Sequence, residues 1–385
     1  MLTKQYLMVP GPTAVPERVL QAMHQPMINH RGALYEQLFQ RVSTGLQSVF
    51  KTRHEVLTFP ASGTGVLEAA IVNTLSPGDK VLSVSTGVFG DRFAEIAAKF
   101  GADVEKLNFP WGQAAVTDVL AERLKADIKR EIKAILLTHN ETSTGVTNDI
   151  QALAQARGDH PALILVDAIS SLGAIDVQMD NWGLDVVVTG SQKALMLPPG
   201  LGFMAMNERA WEAYRTAQMP KFYWDAELAR KALAKGQNPY TPPVSLLFGL
   251  DEALRLLAEE GLPQVFERHL QLRRSLRHGL EALNLALLAA DEVASNGVTA
   301  VLAPAGIEGK QVQKEMRQGF GITLAGGQKQ LENKIFRIGH LGYVAQTDIL
   351  VTLAALEISL VRLGVKIELG SGVRAAQQTM MEGLR

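Results

Sequence analysis

The sequence predicts an α/β protein in which a large domain, with a mostly parallel sheet flanked by helices, is joined to a smaller α+β domain. Three observations predict it. From Glu55 to Asn207 short apolar runs alternate with amphipathic stretches, the order of a parallel sheet whose connecting helices cover both faces. Beyond Asn207 long helical patterns take over, and the apolar runs TAVLAP, ITLA and KIFRIG interrupt them. Hydrophobic residues make up 47% and charged residues 20% of the 385 residues, so a substantial core is available and disorder is not expected. The change of pattern near residue 256 sets the expected boundaries: residues 22–255 form the large domain, and residues 1–21 with 256–385 form the small one.

Residues 8–16, MVPGPTAVP, hold three prolines and a glycine, so they form an extended or turning arm, not a helix. His30 and Arg31 follow, at the start of a helix expected from about Ala33 to Phe50, where an anion would also meet the helix dipole. A solvated helix start is the other reading of this pair. Then come the strand VLTFP, a helix from Gly65, KVLSVS, a helix through RFAEIAAKFG, VEKLNF, a helix around Leu120, IKAILLTH, a helix from Asp149, ALILVDA, LDVVVTG and LGFMAMN. The later helices ERAWEAYRTAQ, DAELARKALAKG, SLLFGLDEALRLLAEEG and FERHLQLRRSLRHGLEAL are broken at residues 238–245, NPYTPPVS, whose prolines require a loop.

Ligands of such sheets lie beyond the carboxyl ends of the strands. Lys193 follows VVVTGSQ and is the only charged side chain between Asp185 and Glu208. An ammonium in apolar surroundings is costly unless paired or neutral, and a lysine made neutral attacks carbonyls or holds a cofactor aldehyde; a lysine that snorkels to water is the alternative. Asp167 ends ALILV, a run apolar enough to be buried on both faces, and needs a cation or donors unless it merely caps a turn. Ser62, Gly63, Thr64 and Gly65 form SGTG before a helix, a backbone able to approach a phosphate closely or an ordinary capped glycine turn. Phe89 opens the next helix and can lie flat on a planar ligand or pack in the core. HNETSTG, residues 139–145, sets many donors and acceptors at a strand end. Arg337, in KIFRIGHLG, can clamp a carboxylate or join a surface ion pair. An oppositely charged pair at neighbouring strand ends, with a phosphate-type loop and an aromatic, is a kit for pyridoxal phosphate.

Other classes are narrowed by composition. The chain has no cysteine, which removes disulfides, thiolate nucleophiles, zinc-thiolate sites and iron–sulfur clusters, and no metal site is expected. A formal net charge of −1 argues against binding nucleic acid or an anionic membrane by bulk charge. The N-terminal MLTKQYLMVPGP reaches proline before it supplies an apolar signal core, the C-terminal MEGLR is no Ser-Lys-Leu address, and no apolar stretch is long enough to span a bilayer. A cytoplasmic protein is expected.

PGP near the start, SGTG, WGQ at Trp111–Gln113, HNETSTGV, LVDAISSLGA, TGSQKAL with PPGLG, YTPPVSLLFGL, FRIGHLG and GSGVRAA occur together in an order and at spacings that resemble the fold-type I, class V pyridoxal-phosphate aminotransferases, most of all those acting between serine or alanine and glyoxylate. The likeness covers nearly the whole chain. It implies pyridoxal 5'-phosphate as cofactor, with Lys193 as its Schiff-base lysine and proton shuttle and Asp167 as the partner of its ring nitrogen. Phe89 would stack on one ring face, Ile169 pack on the other and Thr142 bond near the ring hydroxyl. Ser62, Gly63, Thr64, Gly65 and Gln192 would cup the phosphate, joined by Thr241 and Tyr240 from the second subunit of a homodimer. Arg337 would bind the substrate carboxylate, with Gly11 in the segment closing over it.

The resemblance implies a ping-pong transfer of an amino group from serine or alanine to glyoxylate or pyruvate. His30 and Arg31 are similar to a pair that binds a distal phosphate in phosphoserine aminotransferases and that occurs in glyoxylate enzymes too, so a phosphoserine enzyme stays open beside other class V activities. A desulfurase would need a cysteine to accept sulfur. A non-catalytic subunit of a redox complex, a label that proteins of this type have sometimes carried, would lack cysteine ligands for the usual clusters.

Overall fold

The computed structural model describes residues 4–383; the first three residues of the N-terminal stretch and the last two of MEGLR lie outside them. The strands in chain order are β1 (Tyr6–Met8), β2 (Val56–Ala61), β3 (Lys80–Ser85), β4 (Asp103–Asn108), β5 (Ile132–Thr138), β6 (Asn140–Glu141), β7 (Val146–Thr147), β8 (Leu163–Asp167), β9 (Val186–Gly190), β10 (Gly200–Met206), β11 (Val298–Leu302), β12 (Ile322–Gly326) and β13 (Ile335–Gly339). Seven of them form one sheet in the order β2-β10-β9-β8-β5-β3-β4. Neighbours from β9 to β4 are parallel, and the fold class expected from the alternation is the one found.

Both faces of this sheet are covered, which is why its central strands carry unbroken apolar runs, Leu163–Val166 in β8 and Val186–Val188 in β9. Ile164 and Val166 of β8 and Val187 of β9 pack with Phe39 and Leu46 of helix Ala33–Phe50 and Leu250 of helix Val244–Glu260. Leu163, Leu165, Val186 and Val188 point the other way, against Leu67 and Ile71 of helix Gly63–Thr74 and Phe93 of helix Val88–Lys99. Successive strand residues face opposite sides, so two buried faces demand an unbroken apolar run.

One strand departs from the parallel pattern. β10 runs antiparallel to both β9 and β2, because the chain turns straight back through Pro198, Pro199 and Gly200. A parallel return would require a crossover connection, usually a helix, and the Lys193 segment has no room for one. The turn therefore leaves Lys193 at the carboxyl end of β9.

A second sheet, in the order β1-β12-β13-β11, packs with helices Leu262–Ala282, Gly309–Phe320, Gln346–Arg362 and Ser371–Glu382 around Leu276, Met316, Phe336, Ile338 and Leu356. Helix Leu262–Ala282 belongs to both units: Val265 lies in the first core and Leu272 in the core of the second sheet. Residues 9–16 are irregular and bent, the extended or turning arm expected from their prolines. Just before them, Tyr6–Met8 adds a parallel strand beside Ile322–Leu324, a pairing that depends on residues hundreds of positions away. Among the described residues no helix is long and apolar enough to cross a membrane.

The arm then crosses β13 at close range. A Cβ on Gly339 would lie 2.2 Å from the carbonyl carbon of Val9, so only glycine lets the two backbones meet there. Gly339→Ala is expected to lift the arm at a cost of about 1–3 kcal/mol; urea denaturation with hydrogen exchange across residues 5–15 measures both, and unchanged exchange in the arm would refute the contact.

Candidate active site

The carboxyl ends of β2, β3, β5, β8 and β9 converge on one cavity of about 160 Å³. Ser62, Gly63, Thr64, Phe89, Thr142, Asp167, Ile169, Gln192 and Lys193 all line it, although they are spread over much of the chain. Gly65 stands one step further along helix Gly63–Thr74, where a Cβ would meet the Trp224 ring at 2.6 Å. A larger groove of about 860 Å³ lies at the opposite edge of the sheet. Its arginines are engaged in ion pairs, Arg130 with Asp159 and both Arg157 and Arg209 with Asp185.

Lys193 is held from three directions. Its Nζ donates to the Pro10 carbonyl at 2.7 Å, the Thr13 hydroxyl donates to the Lys193 carbonyl at 2.9 Å, and the Thr13 amide donates to the Gln192 carbonyl at 3.1 Å. A Cβ on Gly11 would lie 2.4 Å from Nζ, so the arm presses directly on the amine. Burial, reinforced by the Arg337 charge and opposed by Asp167, pushes the Lys193 pKa down to about 8.

Asp167 ends β8, beside the strand that delivers Lys193. It is 4% exposed, and Oδ1 accepts from the Ile169 amide at 2.9 Å. Burial, opposed by that bond and by Lys193 and reinforced by nearby Glu141, pushes its pKa up to about 7. A carboxyl in this position is suited to a cationic or N–H partner.

Arg337 reaches the site from β13. It is 6% exposed, donating from Nε to the Gly326 carbonyl at 2.8 Å and from Nη1 to the Thr142 carbonyl at 2.8 Å. Both acceptors are neutral, and burial pushes the guanidinium down to about 10. An anionic ligand would relieve that cost.

The remaining expected residues are elsewhere. Thr241 is exposed, and Tyr240 stacks on Tyr223 with its hydroxyl donating to the Phe222 carbonyl at 3.0 Å. His30 is half-buried and Arg31 exposed; Arg31 Nη1 donates to Gln237 Oε1 and to the Asn238 carbonyl, both at 2.8 Å. These four do not line the cavity of their own chain. Asn140, Ser170 and Arg92 do line it and were missed. Asn140 and Ser170 lay inside motifs already singled out, and Arg92 is one helical turn from Phe89, its guanidinium carbon 4.9 Å from the ring centroid.

Comparison with known proteins is consistent with this geometry. The family model described as aminotransferase class-V matches residues 5–349. The chain belongs to the class-V aminotransferase family. This aminotransferase is 47% identical over 375 residues to a protein of Anabaena cylindrica named soluble hydrogenase 42 kDa subunit, covering 97% of this chain and 98% of the relative. It is 39% identical over 388 residues to the serine–glyoxylate aminotransferase of Methylorubrum extorquens, covering 98% and 96%. The solved ureidoglycine–glyoxylate aminotransferase of Bacillus subtilis superposes with a TM-score of 0.92 at 30% identity, covering 99% of each chain.

Class-V aminotransferases depend on pyridoxal phosphate, and the residues of this aminotransferase fit it. Ser62 is the N-cap of helix Gly63–Thr74 yet its side chain makes no capping bond, which leaves a hydroxyl and helix-start amides for an anion. Gln192 Oε1 is buried without a partner in the protein. A Cβ on Gly63 would lie 2.6 Å from Ile169 Cδ1, so glycine keeps the cradle open. No group of three or more His, Cys, Asp or Glu able to hold a metal ion occurs among the described residues.

The raised Asp167 pKa has a stability consequence for the cofactor-free protein. The folded chain binds this proton more tightly than the unfolded chain, so stability falls as pH rises from about 4 to about 7 and the loss stays constant above. Asp167→Asn keeps the acceptor for Ile169 and cannot ionise. It is expected to stabilise the apo protein at pH 8 and leave it nearly unchanged at pH 4; equal denaturation midpoints for the two proteins at pH 8 would contradict the shift.

Proposed function

We propose that this class-V aminotransferase transfers an amino group from serine or alanine to glyoxylate or pyruvate as a cytoplasmic homodimer, in two half-reactions at the Lys193 site. The observation that carries the reading is the burial of an amine with a depressed pKa and a carboxyl with a raised one at adjacent strand ends, with Arg337 beside them. Pyridoxal phosphate, when bound, supplies an aldehyde for the amine and a ring that draws electrons from the substrate Cα.

The chain's own residues do the rest. Lys193, its pKa lowered towards neutrality by burial, would accept the proton from the substrate Cα and deliver it to the carbon that the cofactor's aldehyde supplies. Asp167 holds a proton at the ring nitrogen, and Phe89 and Ile169 confine the ring between them. Thr142 bonds near the ring hydroxyl, while Ser62, Gly63, Thr64, Gly65 and Gln192 take the phosphate. Arg337 binds the substrate carboxylate as a fork, with Gly11 and the arm above it.

The partner's Thr241 and the partner's Tyr240 complete the phosphate site. Support for a dimer comes from the surface that carries them: Phe222 is exposed next to the Tyr223–Tyr240 stack, and Met27 and Leu34 flank His30 and Arg31 with most of their surface in solvent. Exposed apolar side chains of this size mark an interaction face. We assign donor selection to His30 and Arg31, presented by that face to the partner's cavity. The division into units at residues 22–255 and at 1–21 with 256–385 belongs to the same proposal, with the site at their seam.

The name of the Anabaena relative supports a second reading, a subunit of a redox complex. The absence of cysteine from the sequence removes the thiolate ligands that clusters of such complexes use. Purified protein with pyridoxal phosphate is expected to show a visible absorption band that Lys193→Ala abolishes, and serine or alanine should discharge it within seconds. A colourless protein that takes up no pyridoxal phosphate would favour the second reading. Discharge by phosphoserine but not by serine or alanine would make it a phosphoserine enzyme.

Arg337→Ala separates binding from chemistry. Loss of a charge-assisted pair of bonds costs about 1.5–3 kcal/mol, so the apparent affinity for alanine is expected to fall roughly ten- to hundredfold with the visible band intact. A titration of that band with alanine measures it, and an unchanged half-saturation point would remove Arg337 from the carboxylate site.

A further inference from the structure

The loop after β5 holds a carboxylate that none of the steps above uses. Glu141 is completely buried and its side chain collects four donors. Oε2 accepts from the amides of Phe89 and Gly90, each at 3.0 Å; Oε1 accepts from the amide of Ser143 at 3.0 Å and from its hydroxyl at 2.5 Å. The Ser143 oxygen in turn accepts from the amide of Val88 at 3.0 Å.

Val88, Phe89 and Gly90 are the first three residues of helix Val88–Lys99, whose N-cap is Gly87. Helix-start amides have no acceptor within their own helix and carry partial positive charge. Glycine offers no side chain to meet them, and a larger residue cannot enter: a Cβ at position 87 would lie 2.5 Å from Ser143 Oγ and 2.6 Å from Glu141 Cδ. Glu141 and Ser143 thus provide the cap from another strand end. Phe89 is the second residue of that first turn and its side chain lines the cavity.

We propose that Glu141 is a positioning residue for the cofactor: with Ser143 it fixes the first turn of helix Val88–Lys99 and so sets where the Phe89 ring lies against pyridoxal phosphate. The proposal rests on the aminotransferase reading above, in which Phe89 confines the cofactor ring. An acceptor-only carboxylate suits four converging donors. A glutamine keeps one acceptor oxygen and turns an N–H₂ group towards the other two donors.

The test is a double-substitution cycle read by cofactor binding, not turnover. Apo protein is titrated with pyridoxal phosphate, following visible absorbance and the visible circular dichroism that reports an asymmetric ring environment. Glu141→Ala is expected to weaken binding at least tenfold and flatten the dichroism, with Glu141→Gln intermediate. In a Phe89→Leu background, Glu141→Ala should add less than about twofold, because residues acting through one another are not additive. If Glu141→Ala does not fold, Glu141→Gln and Ser143→Ala are run through the same cycle with the same criterion. Binding and dichroism like the wild type, or an equal loss with and without Phe89, overturns the proposal. A wild-type protein that binds no pyridoxal phosphate overturns the aminotransferase reading and this proposal with it.

Discussion

Four ionisable groups are buried at one edge of the large sheet: Lys193, Asp167, Arg337 and Glu141. No two of them form a salt bridge in the structure. Taking charges out of water without direct pairing is costly, and the architecture around the site is arranged to meet that cost with neutral groups. Lys193 donates to a carbonyl of the arm, Arg337 to the carbonyls of Gly326 and Thr142, Asp167 accepts one amide and Glu141 collects four donors. The acidic pair is pushed up and the basic pair down, so burial draws their proton affinities together.

The same contacts hold the two sheets in register. The Thr142 carbonyl accepts from Arg337 of β13, Pro10 of the arm accepts from Lys193, and Thr13 bonds to both Gln192 and Lys193. His269 Nε2 accepts from the Gly342 amide, and Arg268 donates to the Gly342 carbonyl, which secures the GHLG segment behind Lys193. A group that bonds across the seam is placed by both units at once, so movement of one sheet against the other would change the surroundings of every buried charge. Segment HNETSTG is central to this arrangement: Glu141 holds the helix bearing Phe89, Thr142 holds Arg337, and Asn140 holds Ser170.

Much of the fold and of the site was legible in the sequence. The apolar runs Leu163–Val166 of β8 and Val186–Val188 of β9 follow from burial on both faces, a local signal, and they locate Asp167 and Lys193 at strand ends without any tertiary information. Phe89 at a helix start was legible for the same reason: turn chemistry and helix caps are written in a few consecutive residues. SGTG reads as preceding a helix from Gly65, whereas the helix begins at Gly63, so the motif itself is its cap and first turn. Resemblance of the ordered motifs then supplied the family and the cofactor.

What only the tertiary structure decided concerns residues far apart in the chain. β1 is a strand because β12 lies beside it, and β10 runs antiparallel because the Lys193 turn is too short for a crossover. Glu141 caps a helix 52 positions away, and Arg337 donates to a carbonyl 195 positions away. Arg31 stands at a helix start, and only the fold brings its guanidinium to Gln237 and the Asn238 carbonyl in the loop before Tyr240. Periodicity and capping reflect interactions over a few residues and survive in the sequence as pattern. A hydrogen bond between distant segments leaves no local pattern, because any donor at the right place would serve and only the folded backbone defines that place.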